Sequence, residues 1–340
     1  MFANIRKINE FHTFNMLIAD IIFLSLQTLF CIMNTKVKGY TLAAISAATY
    51  GMNPLFALPL YDGGMDLFSV LFFRYLFAIP ILAIMLKLRR RDFSIKRDDI
   101  TPLLILGVLF AMSSITLFSS YNHMDAGVAS TILFVYPIMV ALIMFIFFKE
   151  KISKMTMACI AVAMLGIALL CKSGDGAMIS MKGLLFVLGS ALSYSIYIVY
   201  INKSRIKGMA TIKVTMYVLT VGWFIFAIRA LITGELNMPS SEQWYLWGNI
   251  LALAIFPTII SLICTTEAIQ CIGSTPTAIL GVLEPVTAVF FGVVIFGEVL
   301  TPRIILGLIL VITSVTFVVA GGNLGKILLR IKKMFPKKKA

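Results

Sequence analysis

Pro137 and Glu150 stand thirteen residues apart, and so do Pro285 and Glu298. An almost wholly apolar run joins each pair, Tyr136-Pro137-Ile138 to Phe148-Lys149-Glu150 and Glu284-Pro285-Val286 to Phe296-Gly297-Glu298. The second copy lies 148 positions after the first. Upstream, Lys38-Gly39 with Ser46, Ala47 and Tyr50 returns 144 positions later as Lys182-Gly183 with Ser190, Ala191 and Tyr194. From Lys38 to Ala320 the chain is one unit used twice. A duplicated apolar unit restricts the fold strongly, because two related halves can share one midplane site and rock about it.

The unit belongs in lipid. Hydrophobic residues make up 60% of the chain and charged residues 13%, against about half and a quarter in a soluble domain. A span needs about 20 apolar residues to cross roughly 30 Å of hydrocarbon. Ten stretches qualify: 40–60, 66–86, 101–120, 127–147, 155–171, 183–201, 213–232, 247–268, 276–296 and 303–320. Loops on one side of these spans carry 22 lysines and arginines, and those on the other carry three, Lys172, Lys182 and Arg303. The positive-inside rule then puts both termini in the cytoplasm of a multi-pass protein of the cytoplasmic (inner) membrane. The basic tail, 321–340, reads as an anchor on anionic headgroups, so the net charge of +14 does not point to nucleic acid. Residues 1–37 form a leader ahead of the first repeat, an interfacial helix or an over-extended start. Five cysteines, Cys31, Cys159, Cys171, Cys264 and Cys271, are scattered without metal spacing.

Five spans separate the copies, 38–172 and 173–320. Five is odd, so the second copy enters the bilayer upside down relative to the first. The expected fold is an all-α integral membrane protein, ten transmembrane helices forming two inverted five-helix repeats around a central cavity. Polar residues repeat with the halves. Ser46, Tyr50 and Asn53 share one helix face, matched by Ser190, Tyr194 and Tyr197, while Ser113, Thr116 and Ser120 mirror Thr258, Ser261 and Thr265 at a shift of 145. Such stripes avoid lipid by lining a cavity or by bonding across helices. Pro54, Pro80, Pro137, Pro257 and Pro285 lie inside spans, where each frees a carbonyl that a hydroxyl, a neighbour or water must satisfy. Pro137 and Pro285 are related by the repeat and are the hinge candidates.

Three ionisable residues lie deep: Arg74, Glu267 and Glu284. Each would cost about 2.5–3.5 kcal/mol at the bilayer centre, so each needs a partner, a substrate or, for Glu284, a proton as coupling ion. Glu150 and Glu298 sit at helix ends and read as caps or locks. No metal cluster, catalytic serine–histidine set or phosphate-cradling loop accompanies them, and no cofactor is called for. His123, beside Asp125, and His12 are the two histidines.

The duplicated Tyr136-Pro137 to Glu150-Lys151 and Leu283-Glu284-Pro285-Val286 to Gly297-Glu298 segments resemble the drug/metabolite transporter superfamily, in particular its ten-helix EamA-type exporters. Phe73-Arg74-Tyr75 in the second span, and Gly39 and Gly183 opening each half, extend the resemblance over 38–320. It implies a basket-like bundle that exports amino acids, related metabolites or drugs, with the fifth and tenth helices available for packing or for a homodimer. One position departs from symmetry: the first half has Tyr136 where the second has Glu284.

The expectation is a secondary transporter, driven by a gradient rather than ATP, that exports a small molecule by alternating access. Its substrate would bind against Tyr50, Asn53, Tyr194, Tyr197 and Glu284, with Arg74 and Glu267 as further candidates. A single deep arginine cannot neutralise a diphosphate, whereas tyrosines and an amide suit uncharged or zwitterionic solutes. A non-transporting receptor or scaffold, or a membrane-embedded enzyme, is the alternative class.

Overall fold

The computed structural model describes residues 35–149, 154–170, 180–240, 243–272, 277 and 280–320. The leader ahead of residue 35, Glu150, Lys151, Cys171, Lys172, Pro276 and the basic tail lie outside these residues. The described residues contain helices and no strand. The first half comprises α1 (Thr35–Gly51), α2 (Asn53–Asp62), α3 (Leu67–Leu88), α4 (Arg97–Ser120), α5 (Ala126–Leu133), α6 (Tyr136–Phe148) and α7 (Lys154–Leu170). The second comprises α8 (Met181–Lys203), α9 (Thr211–Thr233), α10 (Trp244–Ala254), α11 (Ser261–Ile272), α12 (Leu283–Phe296) and α13 (Pro302–Ala320), with a π turn, Ile255–Ile260, joining α10 to α11.

By length and composition six helical stretches can cross a membrane: Leu67–Leu88, Arg97–Ser120, Ala126–Phe148, Met181–Ile201, Thr211–Thr233 and Trp244–Ile272. Shorter apolar helices cover Met157–Leu170, Leu283–Phe296 and Pro302–Phe317. Together they make a multi-pass membrane protein. Leucine, isoleucine and phenylalanine run round these helices on every side, because lipid on one side and protein on the other both accept apolar surface. Ile84, Leu104, Phe147, Met164 and Leu306 are accordingly exposed, while Leu71, Leu82, Tyr75, Phe118 and Phe226 are fully buried.

Prolines decide where the long helices break. Proline has no N–H and is tolerated in the first turn of a helix, so a helix that meets one can end and restart there. At Met52 the chain leaves α1 and restarts as α2, with Pro54 in its first turn. The N–H missing at Pro54 would have bonded the Tyr50 carbonyl, and Asn53 Nδ2 donates to that oxygen instead, at 2.8 Å. Likewise Pro137 opens α6 after a break at Phe134–Val135, and Pro285 lies in the first turn of α12. Pro54, Pro137 and Pro285 therefore begin helical pieces, where the sequence suggested kinks within continuous spans. Pro257 takes the other solution, a π turn whose freed Leu253 carbonyl accepts a bond from Thr258 Oγ1 at 3.2 Å.

Helix α1 packs on α11, α3 on α9, α4 on α8, α5 on α12 and α7 on α13. Exchanging the two copies of the repeat turns the α1–α11 contact into the α8–α4 contact and returns the α3–α9 and α7–α13 contacts onto themselves. The first of these pairs is clasped by Ser46 Oγ, which donates to the Ser261 carbonyl at 2.8 Å and also bonds Thr265 Oγ1. The second is clasped by Ser113 and Ser190, whose hydroxyls lie 3.0 Å apart. Ser190 corresponds to Ser46, so Ser113 corresponds to Ser261, a shift of 148. The 145 read from the hydroxyl stripe is one helical turn out of register, because a stripe at 3–4-residue spacing looks the same after a slip of three. In α7 and α13, Gly166 and Gly307 bring the backbones together. A Cβ on Gly166 would meet the Gly307 carbonyl at 3.0 Å, and one on Gly307 would meet the Gly166 carbonyl at 2.9 Å.

Candidate functional site

Helix breaks deliver the polar residues to the middle of the bundle. Tyr50 is the last tyrosine of α1 before the break, and the next residue, Gly51, lets α1 approach α12 so closely that a Cβ there would overlap the Glu284 carbonyl. Asn53 is buried, 3% exposed, and while its Nδ2 is used on Tyr50 its Oδ1 has no hydrogen-bond partner among the described residues. Tyr136, first residue of α6, meets the Tyr194 ring edge-on at 4.9 Å, and Tyr194 stacks on Tyr197 at 5.8 Å with the planes 8° apart. Tyr50 lies in electrostatic reach of Glu284, Arg74, Tyr121 and Tyr136, and Tyr194 of Tyr50, Tyr197 and Glu284.

Two opposite charges share this centre. Glu284, in the first turn of α12, is 9% exposed and its carboxylate makes no hydrogen bond or ion pair with the described residues. Arg74, 5% exposed, donates from Nε to Thr258 Oγ1 at 3.1 Å and lies over the Phe118 ring, its guanidinium carbon 5.3 Å from the centroid. Its terminal nitrogens have no hydrogen-bond or ion-pair partner among the described residues. The two side chains do not pair with each other. Thr258 holds the proline-freed carbonyl and orients Arg74 at once, a double role visible only when α3 and the π turn meet.

Glu267 goes elsewhere. It pairs with Arg89 at 3.2 Å near the end of α11, with both side chains about a third exposed, as a rim ion pair rather than a member of the tyrosine-lined group. Hydroxyls of the matched stripes, Ser46, Ser113, Ser190 and Ser261, are taken up in bonds between helices.

Sequence reasoning missed Tyr121 and a second charge pair. Arg229, near the end of α9, bonds Asp66 at 3.3 Å and lies 3.6 Å over the Phe68 ring, while Asp66 caps α3 by accepting from the Phe68 N–H. An Asp two residues before an amide at a helix start is a legible cap; its arginine, 163 residues away, is not.

Glu298 does more than cap its own helix. From the turn after α12 it accepts from the Ala126 N–H at 2.7 Å and the Gly127 N–H at 3.2 Å, at the start of α5 in the other half. Burial, reinforced by Asp125, outweighs these bonds and pushes its carboxyl up to about 7.

A helical bundle whose long apolar stretches enclose buried, uncommitted charge is a membrane transporter architecture. The sequence matches the EamA-like transporter family over residues 37–171 and again over 181–320, and the chain belongs to that family. The uncharacterized transporter YvbV of Bacillus subtilis (strain 168) is 24% identical over 221 residues, 64% of this chain and 70% of that protein. The uncharacterized transporter YdfC of the same organism is 26% identical over 241 residues, 71% and 76%. A solved crystal structure superposes with a TM-score of 0.60 at 15% identity, covering 86% of this chain and 98% of its own, a likeness of fold.

Proposed function

We propose that this transporter is a secondary carrier that exports a small metabolite or drug, an amino-acid-sized zwitterion above all, across the cytoplasmic membrane by alternating access. The observation that carries the reading is the unpaired couple in the centre, the Glu284 carboxylate and the terminal nitrogens of Arg74. Burying an ion without a counterion is costly, so two opposite charges that ignore each other in one centre are best completed by a solute bearing both. An ammonium group would settle at Glu284 among Tyr50, Tyr136 and Tyr194, whose ring faces attract cations. A carboxylate would take the open side of the Arg74 fork, and the free Asn53 Oδ1 would accept a further donor. When the solute leaves, a proton on Glu284 is the economical replacement, which makes the proton the candidate coupling ion.

Symmetric pairing of α1 with α11 and α8 with α4 supports two inverted five-helix halves, 38–172 and 173–320, crossing the membrane ten times. The breaks ahead of Pro137 and Pro285 supply matched hinges. The direct test is flux in reconstituted vesicles with radiolabelled amino acids and nucleosides, with and without a proton gradient. Saturable counterflow of a zwitterion, reduced about tenfold or more by joint Tyr50→Ala and Tyr194→Ala substitution, is expected. Unchanged flux in the double variant would overturn the site.

A further inference from the structure

The seat of Glu298 is built by two glycines. In the turn after α12, Gly297 adopts the left-handed conformation (φ 69°) and the Glu298 N–H bonds the Gly292 carbonyl at 2.9 Å, which folds the side chain back over its own helix. There it lies against Gly292, where a Cβ would overlap the carboxylate. On the far side it lies against Gly127, where a Cβ would come within 2.7 Å of Oε2. Between the two glycines the carboxylate reaches the first amides of α5, so a residue of the second half closes on the first. No lysine or arginine of the described residues pairs with it, and the backbone amides do the holding.

In the other copy of the repeat Glu150 lies outside the described residues, and the described residues before it differ from this seat. Lys149 sits where Gly297 does and takes the same left-handed turn (φ 55°), its N–H bonded to the Met144 carbonyl. At a shift of 148, Gly292 corresponds to Met144 and Gly127 to Thr275. Met144 carries a side chain where the first wall of the seat is bare, and Thr275 lies outside the described residues.

From this seat we infer that Glu298 is a gate latch: it joins the ends of α5 and α12 on the face that charge counting places outside, and biases the carrier toward the outwardly closed state. The inference rests on alternating access between the halves but not on the identity of the solute, and its test needs no substrate.

In the full chain with its cysteines replaced, Ser130→Cys places one thiol in α5, a turn below the latch, where every residue of the helix is buried. Labelling of intact cells by a membrane-impermeant maleimide then reads outward opening. Glu298→Ala is expected to raise the labelling rate about tenfold, the size of effect that losing about 1.4 kcal/mol of closure produces. Glu298→Gln, which keeps a carbonyl for the α5 amides and carries no charge to desolvate, is expected to label no faster than the parent. Gly292→Ala, which expels the carboxylate while leaving Glu298 in the chain, is expected to match Glu298→Ala and carries the test if that variant is not recovered in the membrane. Labelling at the parent rate in both Glu298→Ala and Gly292→Ala, or Glu298→Gln labelling as fast as Glu298→Ala, overturns the latch. A zwitterion that is not transported faults the substrate reading and leaves these rates untouched.

Discussion

Side chains that stand in for a missing backbone bond recur here. Asn53 takes over for Pro54 at the Tyr50 carbonyl, and Thr258 for Pro257 at the Leu253 carbonyl. Both are tied to the candidate site, since Tyr50 lines it and Thr258 holds Arg74. Thr258→Val keeps the shape and removes the hydroxyl, so it should lower flux about tenfold through a misplaced Arg74 while the protein stays folded, read by vesicle transport beside thermal unfolding in detergent. Arg74→Lys should be nearly as damaging as Arg74→Gln, because a point charge cannot both bond Thr258 and present a fork to a carboxylate. For Glu298 the sign is worth working through. Its carboxyl stands at about 7 in the latch, above the ordinary value of about 4.3 that it regains when the face opens to water. The closed state therefore holds the proton more tightly, and closure is strongest below the ordinary value and weakens as outside pH rises through about 7. The groups facing it are Asp125, the Ala126 and Gly127 amides and Tyr121. Maleimide labelling of Ser130→Cys should accordingly rise between pH 5 and pH 8 more steeply than thiol ionisation alone dictates, and the same cysteine with Glu298→Gln should follow the ionisation slope.

Among the elements, α7 with α13 and α1 with α12 show how glycine sets distances that side chains cannot. Gly166 and Gly307 press on each other's carbonyl oxygens, which are backbone and cannot swing aside. Gly166→Leu should part α7 from α13 and destabilise the protein by about 1–3 kcal/mol, seen as a lower unfolding temperature in detergent, with little change in substrate selectivity. Gly51→Ala meets the Glu284 carbonyl instead, and should cost transport before stability because it displaces the carboxylate-bearing turn. Neither contact is legible in one dimension, where Gly51, Gly166 and Gly307 look like any other small residue of an apolar helix. The polar stripes were legible as stripes. Their partners were not, since serine and threonine at 3–4-residue spacing offer the same face after a slip of one turn. Only the Ser46–Ser261 and Ser113–Ser190 clasps select the register.

For the whole molecule, the proposed inversion of the halves rests on an odd number of crossings between repeats and makes one further prediction. Cysteines placed singly at positions 150 and 298 should be labelled from opposite sides of the membrane. Labelling from the same side would remove the inversion and alternating access with it. Hydropathy, the duplication and the asymmetry of basic residues are properties of chain order, and they sufficed for an embedded helical protein made of two like halves and for its transporter class. Which charges meet is a property of packing. Arg74 and Glu284 come to one centre from different halves, Glu267 is drawn off by Arg89 at the rim, and Glu298 reaches across 172 positions to the Ala126 amide. A side chain's energy in lipid depends on the neighbour it finds, and helices that are apolar on every side leave that choice to the tertiary structure.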